Sequence, residues 1–66
     1  MVQPPRLSVG DLVRVDFCGR TGVITSGPVP VSMNGDIEYR VGLRWENGLI
    51  SPSYNTDYLE LISEAR

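Results

Sequence analysis

Residues 37–45 constrain this chain more than any other stretch. Ile37, Tyr39, Val41, Leu43 and Trp45 alternate without a miss against Glu38, Arg40, Gly42 and Arg44. Side chains on a β-strand point to opposite faces with a period of two. The segment therefore reads as a strand with one apolar and one charged face. Asn47-Gly48 follows, a pair that tolerates positive φ at both positions, as a two-residue type I′ turn requires. That turn would pair Glu46 with Leu49 and set Trp45 opposite Ile50 on the buried face. Trp45 is expected in the core.

The remaining strands are shorter. Residues 1–8 carry adjacent prolines, Pro4 and Pro5, and read as an extended arm. Val9-Gly10-Asp11 reads as a turn. Residues 12–17 read as a strand, with Val13, Val15 and Phe17 on one face and Leu12, Arg14 and Asp16 on the other. Residues 18–22 are a glycine-bracketed connection. The β-branched run 22–26 reads as a second strand.

Residues 27–36 leave two readings open. Pro28 and Pro30 remove ladder donors, which suits a loop or an edge. Asn34-Gly35 is nonetheless a second hairpin signal, and Val29, Val31 and Met33 alternate as a strand would. Pairing Met33 with Asp36 would set those three beside Glu38 and Arg40, away from the core. A loop, or a bulge that returns them inward, is the alternative. Beyond the central strand, residues 49–51 read as a short strand ended by Pro52, and residues 53–57 as one 3₁₀ turn. Residues 58–62 read as the last strand, with a domain over 9–63 and a frayed end at 64–66. Asp57 is expected to cap the 3₁₀ turn or to accept hydrogen bonds from nearby backbone.

Sixty-six residues allow one domain, and a chain of this size buries only about 60% of its unfolded surface. The single cysteine, Cys18, excludes an internal disulfide. No apolar run approaches the roughly 20 residues of a membrane span. The opening residues lack the apolar segment of a secretory leader, so the expected compartment is the cytoplasm. Catalytic constellations are missing. The chain contains no histidine, the commonest general base and metal ligand, and Cys18 has no base to activate it. The carboxylates are scattered without metal-ligand spacing. No catalytic residue, metal or cofactor is expected, and the chain reads as a non-enzyme. Six arginines stand against eight carboxylates, with no lysine. This is a poor balance for a phosphate-binding face unless the fold segregates the charges.

Val9-Gly10-Asp11-Leu12-Val13-Arg14-Val15, followed by Gly19-Arg20-Thr21-Gly22-Val23-Ile24, resembles the KOW motif of ribosomal and transcription-elongation proteins. Tyr39-Arg40-Val41-Gly42-Leu43-Arg44-Trp45-Glu46, with Asn55-Thr56-Asp57-Tyr58-Leu59-Glu60-Leu61, resembles the peripheral reaction-centre subunit IV of photosystem I. The first likeness implies RNA binding. The second implies an accessory subunit that helps a soluble protein dock; its longer first loop and its lysines have no counterpart here. Type II dihydrofolate reductases are a third, related set of barrels, active as tetramers around a pore. Of their Val-Gln-Ile-Tyr segment, residues 51–54 keep only Tyr54.

Together these features imply an all-β, five-stranded SH3-like barrel with one short 3₁₀ turn before the last strand. The expected function is binding without catalysis, as a protein-interaction or accessory subunit. A KOW-type RNA-binding module is the alternative, and a pore-forming homo-oligomeric enzyme the third. The expected contact residues are Val29, Val31, Met33, Arg40, Arg44 and Tyr54. Arg14, Arg40 and Arg44 point outward, either as a stripe for an acidic partner or as cross-strand mates of Asp16, Glu38 and Glu46. Tyr54 is expected to be more exposed than Tyr58. The partner would be a protein or a second copy of the chain, with nucleic acid disfavoured and no membrane involved.

Overall fold

A computed structural model describes residues 5–65. Among them the chain is all-β: β1 (Leu12–Val15), β2 (Thr21–Met33), β3 (Asp36–Trp45), β4 (Ile50–Asn55) and β5 (Leu59–Ser63), with a 3₁₀ turn at Thr56–Tyr58. The strands form one antiparallel sheet in the order β4-β3-β2-β1-β5. The sheet is open, with β4 and β5 as its edges and the 3₁₀ turn as the link between them. Asn55 caps that turn, its side-chain oxygen accepting the Asp57 N–H at 2.9 Å. Asp57, expected as the cap or as an acceptor for nearby backbone, instead donates its own N–H to that cap. Strand β4 also runs on through Pro52 to Asn55, where the sequence suggested an earlier stop.

The core is Val13, Val15, Ile24, Val41, Leu43 and Trp45, with Leu7, Tyr54, Leu59 and Leu61 packed around it. The two-residue period explains the first six, which come from one face of β1, β2 and β3. Phe17 does not join them. Strand β1 ends at Val15, where the Gly19 N–H donates to the Val15 carbonyl at 2.8 Å and turns the chain. Phe17 is left 71% exposed. The ladder shifts register between Leu12 and Val13, between Ile24 and Ser26, between Ser26 and Val29, and between Val41 and Leu43. Such bulges bend and twist a sheet, which lets the five strands curve over a small core.

The two Asn-Gly pairs make different turns. Asn34 and Gly35 both have positive φ (50° and 86°), and Met33 pairs with Asp36. This is the two-residue type I′ loop, so residues 27–36 form the hairpin and not the loop. At the other pair only Gly48 is positive, at 89°. The Gly48 N–H donates to the Trp45 carbonyl at 2.9 Å, and the Trp45 N–H to the Leu49 carbonyl at 2.8 Å. Glu46 thus belongs to a three-residue loop with a left-handed glycine at its end. A one-residue change of loop length moves every side chain to the opposite face. Arg44, not Trp45, therefore stands opposite Ile50, and Ile50 lies outside the core at 69% exposure.

The β2–β3 hairpin outruns its neighbours. Strand β1 reaches β2 only as far as Val23, and β4 reaches β3 only as far as Arg40. Beyond those points the hairpin is two-stranded, so the alternation of β3 persists without a core behind it. Ile37 is 51% exposed for this reason. Pro30 faces Tyr39. Counting from the hydrogen-bonded Met33–Asp36 pair that closes the turn, this is a non-hydrogen-bonded position. The missing N–H of Pro30 thus points to the open edge and costs no ladder bond.

The chain ends of this unit meet at Asp11. Its buried carboxylate accepts the Ser8 N–H at 2.9 Å and the Ala65 N–H at 2.8 Å. Residues 1–4 of the expected arm and residue 66 lie outside the described residues.

Candidate functional site

Two edge-to-face aromatic pairs lie at one end of the sheet. Phe17 meets Tyr58 with ring centroids 5.7 Å apart and planes at 84°, and Trp45 meets Tyr54 at 5.4 Å and 80°. Strand order accounts for the first pair. The Asp16 N–H donates to the Tyr58 carbonyl at 2.9 Å, extending the β1–β5 ladder into the turn that follows β1. The next residue, Phe17, then reaches the tyrosine ring. The second pair follows from register, because Tyr54 stands opposite Val41 on the core side of the sheet. That position half-buries Tyr54 and leaves Tyr58, on the 3₁₀ turn, 49% exposed. Tyr58 and not Tyr54 is thus the more exposed of the two.

A cleft of about 520 Å³ opens beside these rings, lined by Phe17, Glu38, Arg40, Ser53, Tyr54, Asn55 and Tyr58. Its wall on β3 is an ion pair along the strand. Arg40 donates through Nε and Nη2 to one oxygen of Glu38, at 3.2 and 2.7 Å. Burial raises the Tyr54 phenol above its ordinary pKa, and the neighbouring Cys18 and Tyr58 add to this while Arg20 opposes it. Tyr54 therefore remains a protonated hydroxyl donor at neutral pH. Above the cluster, the Arg20 guanidinium lies 5.4 Å from the Trp45 ring centroid, in cation–π range.

The arginines do not form a stripe. Arg14 pairs with Glu60, its neighbour across the β1–β5 ladder, and not with Asp16. Arg40 pairs with Glu38 within its own strand. Glu46 accepts the Thr21 hydroxyl at 3.0 Å and makes no ion pair with Arg44. Among the described residues, Arg20 and Arg44 have no carboxylate partner.

Of the six expected contact residues, Arg40 and Tyr54 meet at the cleft. Val29, Val31 and Met33 lie on the outer face of the hairpin, and Val29 stands directly across from Arg40. Arg40 in turn lines the cleft with Tyr54. Arg44 is apart, bordering a smaller depression of about 300 Å³ with Leu12, Val23 and Glu46. Sequence reasoning missed Phe17, Arg20 and Tyr58 as site residues. The spacing of Phe17 sets it on one face with Val13 and Val15, and the sequence reading makes Tyr54 the more exposed tyrosine.

Among the described residues no group of acidic, cysteine or histidine side chains gathers as a metal site, and no helix is long and apolar enough to cross a membrane. No family model matches the chain, and no curated protein or solved structure does so at a significant level.

Proposed function

We propose that the chain is a non-catalytic protein-interaction module, a small subunit or accessory domain of a larger assembly. In this reading the sheet is an SH3-like barrel left unclosed between β4 and β5, and the aromatic cleft receives an extended segment of the partner. The observation that carries it is the Phe17–Tyr58 pair, two aromatic rings held together by the ladder yet 71% and 49% exposed. Exposed aromatic rings are common anchors of protein interfaces, and the Tyr58 hydroxyl adds a polar contact. The outer strip of Val29, Val31 and Met33 adds apolar surface beyond Arg40, and exposed apolar patches of this kind mark interaction sites. A cytoplasmic setting suits the exposed, unpaired Cys18.

The separated arginines favour a protein partner over RNA, because phosphate binding draws on clustered cations. Selection from a random displayed-peptide library tests the reading. Enriched peptides should bind the parent and lose most of their affinity for Phe17→Ala and Tyr58→Ala, two surface changes that leave the melt intact. A library that yields no ligand, or ligands indifferent to both variants, would remove the cleft as the binding site.

A further inference from the structure

The outer face of the sheet carries a row of side chains that crosses all five strands. Leu12 of β1 pairs with Val23 of β2, Val23 with Arg44 of β3, and Arg44 with Ile50 of β4. On the other side of Leu12, β5 shifts register between Leu61 and Ser63, with Ile62 between them. The adjoining residues Val13, Ile24, Leu43 and Trp45 are buried in the core, so Leu12, Val23 and Arg44 point away from it. Ile50 and Ile62 are exposed, and Leu12 and Val23 are half-buried. The next row along the strands is polar and largely engaged: Arg14 pairs with Glu60, and Glu46 accepts the Thr21 hydroxyl. The apolar row holds one cation, Arg44, which has no carboxylate partner among the described residues.

Geometry limits what can cover this row. Four gaps of about 4.8 Å make it about 19 Å long, and like-facing residues along a strand leave it about 7 Å wide. A second copy of the chain fits poorly. The strip is far below the roughly 800 Å² per partner of a stable interface, and two-fold stacking about Val23 would set Arg44 over Leu12, with no counter-charge. An extended segment fits poorly too. The backbone here is spent on the ladders, so such a segment would lay its own N–H and C=O groups unmet on apolar side chains. A helix satisfies its backbone internally, and about 13 residues at 1.5 Å each span the row. Arg44, between Val23 and Ile50, then calls for a carboxylate within the apolar stripe of that helix. We infer that the row docks an amphipathic helix of a partner protein whose apolar stripe carries one Asp or Glu, with Arg44 as the residue that selects the acid. This surface shares no lining residue with the aromatic cleft.

The test uses the full chain and three synthetic amphipathic helices of about 13 residues. They are alike except at one position within the leucine stripe, which is Glu, Gln or Lys. Binding is read by calorimetry and by the fluorescence of Trp45, which borders the depression beside Arg44. The Glu helix should bind about two- to fivefold tighter than the Gln helix, the size of an exposed ion pair, and the Lys helix weakest. Arg44→Gln should erase the difference between Glu and Gln, and Arg44→Glu should reverse the order. Ile50→Ser, a change at an exposed side chain that leaves the melt intact, should weaken all three, while Phe17→Ala in the cleft should change none. Failure of all three helices to bind, or an acidic preference that survives Arg44→Gln, overturns the inference. Binding lost with Phe17→Ala overturns it as well, by placing the helix in the cleft. Self-association that Ile50→Ser disperses, seen by size-exclusion mass measurement, would give the row to a second copy instead.

Discussion

The indole N–H of Trp45 donates to the hydroxyl of Ser51 at 2.8 Å, tying the largest core side chain to the edge strand beside it. Removing the ring should therefore cost more than removing its anchor. Trp45→Ala is expected to destabilise by about 3–5 kcal/mol, enough to unfold most of so small a domain. Ser51→Ala leaves the ring in place with an unmet donor and should cost about 1–3 kcal/mol. Urea melts of the two variants check the ranking; a Trp45→Ala protein that melts like its parent would place the indole outside the core.

Gly48 holds a φ of 89° with no atom within 4 Å of where a Cβ would sit. The cost of a side chain there is conformational and not steric crowding. Gly48→Val should destabilise by about 1–3 kcal/mol. Asn47→Asp keeps an oxygen to accept the Leu49 N–H and should stay within about 0.5 kcal/mol. Equal effects of the two substitutions would contradict a left-handed Gly48.

The same dipeptide shows where sequence reasoning runs out. Asn-Gly at 34–35 and at 47–48 carries one local signal, yet Glu46 joins the second loop and no residue joins the first. The difference is tertiary: the longer loop brings Ser51, not Ile50, to the Trp45 side, where the indole N–H gains an acceptor. Alternation alone was enough for Val13, Val15, Val41, Leu43 and Trp45, because each has paired chain on both sides, including Val15 and Trp45 at their strand ends. It failed for Phe17 and Ile37, where the supporting strands have already ended. Individual members of the aromatic cluster were visible, but the Phe17–Tyr58 contact depends on β1 pairing with β5, which no local pattern encodes.

Val29, Val31 and Met33 face outward on a hairpin with no core behind it. Replacing all three with serine should leave the melting temperature within a few degrees of the parent and abolish binding of any partner that extends past Arg40, or self-association if the partner is a second copy. Thermal melts and size-exclusion mass measurement check both halves. An unfolded triple variant would mean that the strip is structural.

Burial holds the Tyr54 pKa above that of an unfolded tyrosine. At neutral pH the phenol is protonated in both states, so its stabilising effect is fully present there. The folded state resists ionisation, so stability falls as pH rises from the ordinary tyrosine value through the higher folded one. Tyr54→Phe should flatten this alkaline decline relative to the parent. Parallel declines in urea melts across that range would show that Tyr54 is not its source.

Asp11 has a topological consequence. One carboxylate grips the backbone at residues 8 and 65 together, so the path between them is nearly a ring with a small gap. A short linker across that gap, with new ends cut between Asn34 and Gly35 at the coreless tip, should give a circular permutant that keeps the same ladder. Such a permutant would carry its termini at the hairpin tip, on strands β2 and β3, and a host protein could receive the whole domain there as an insert.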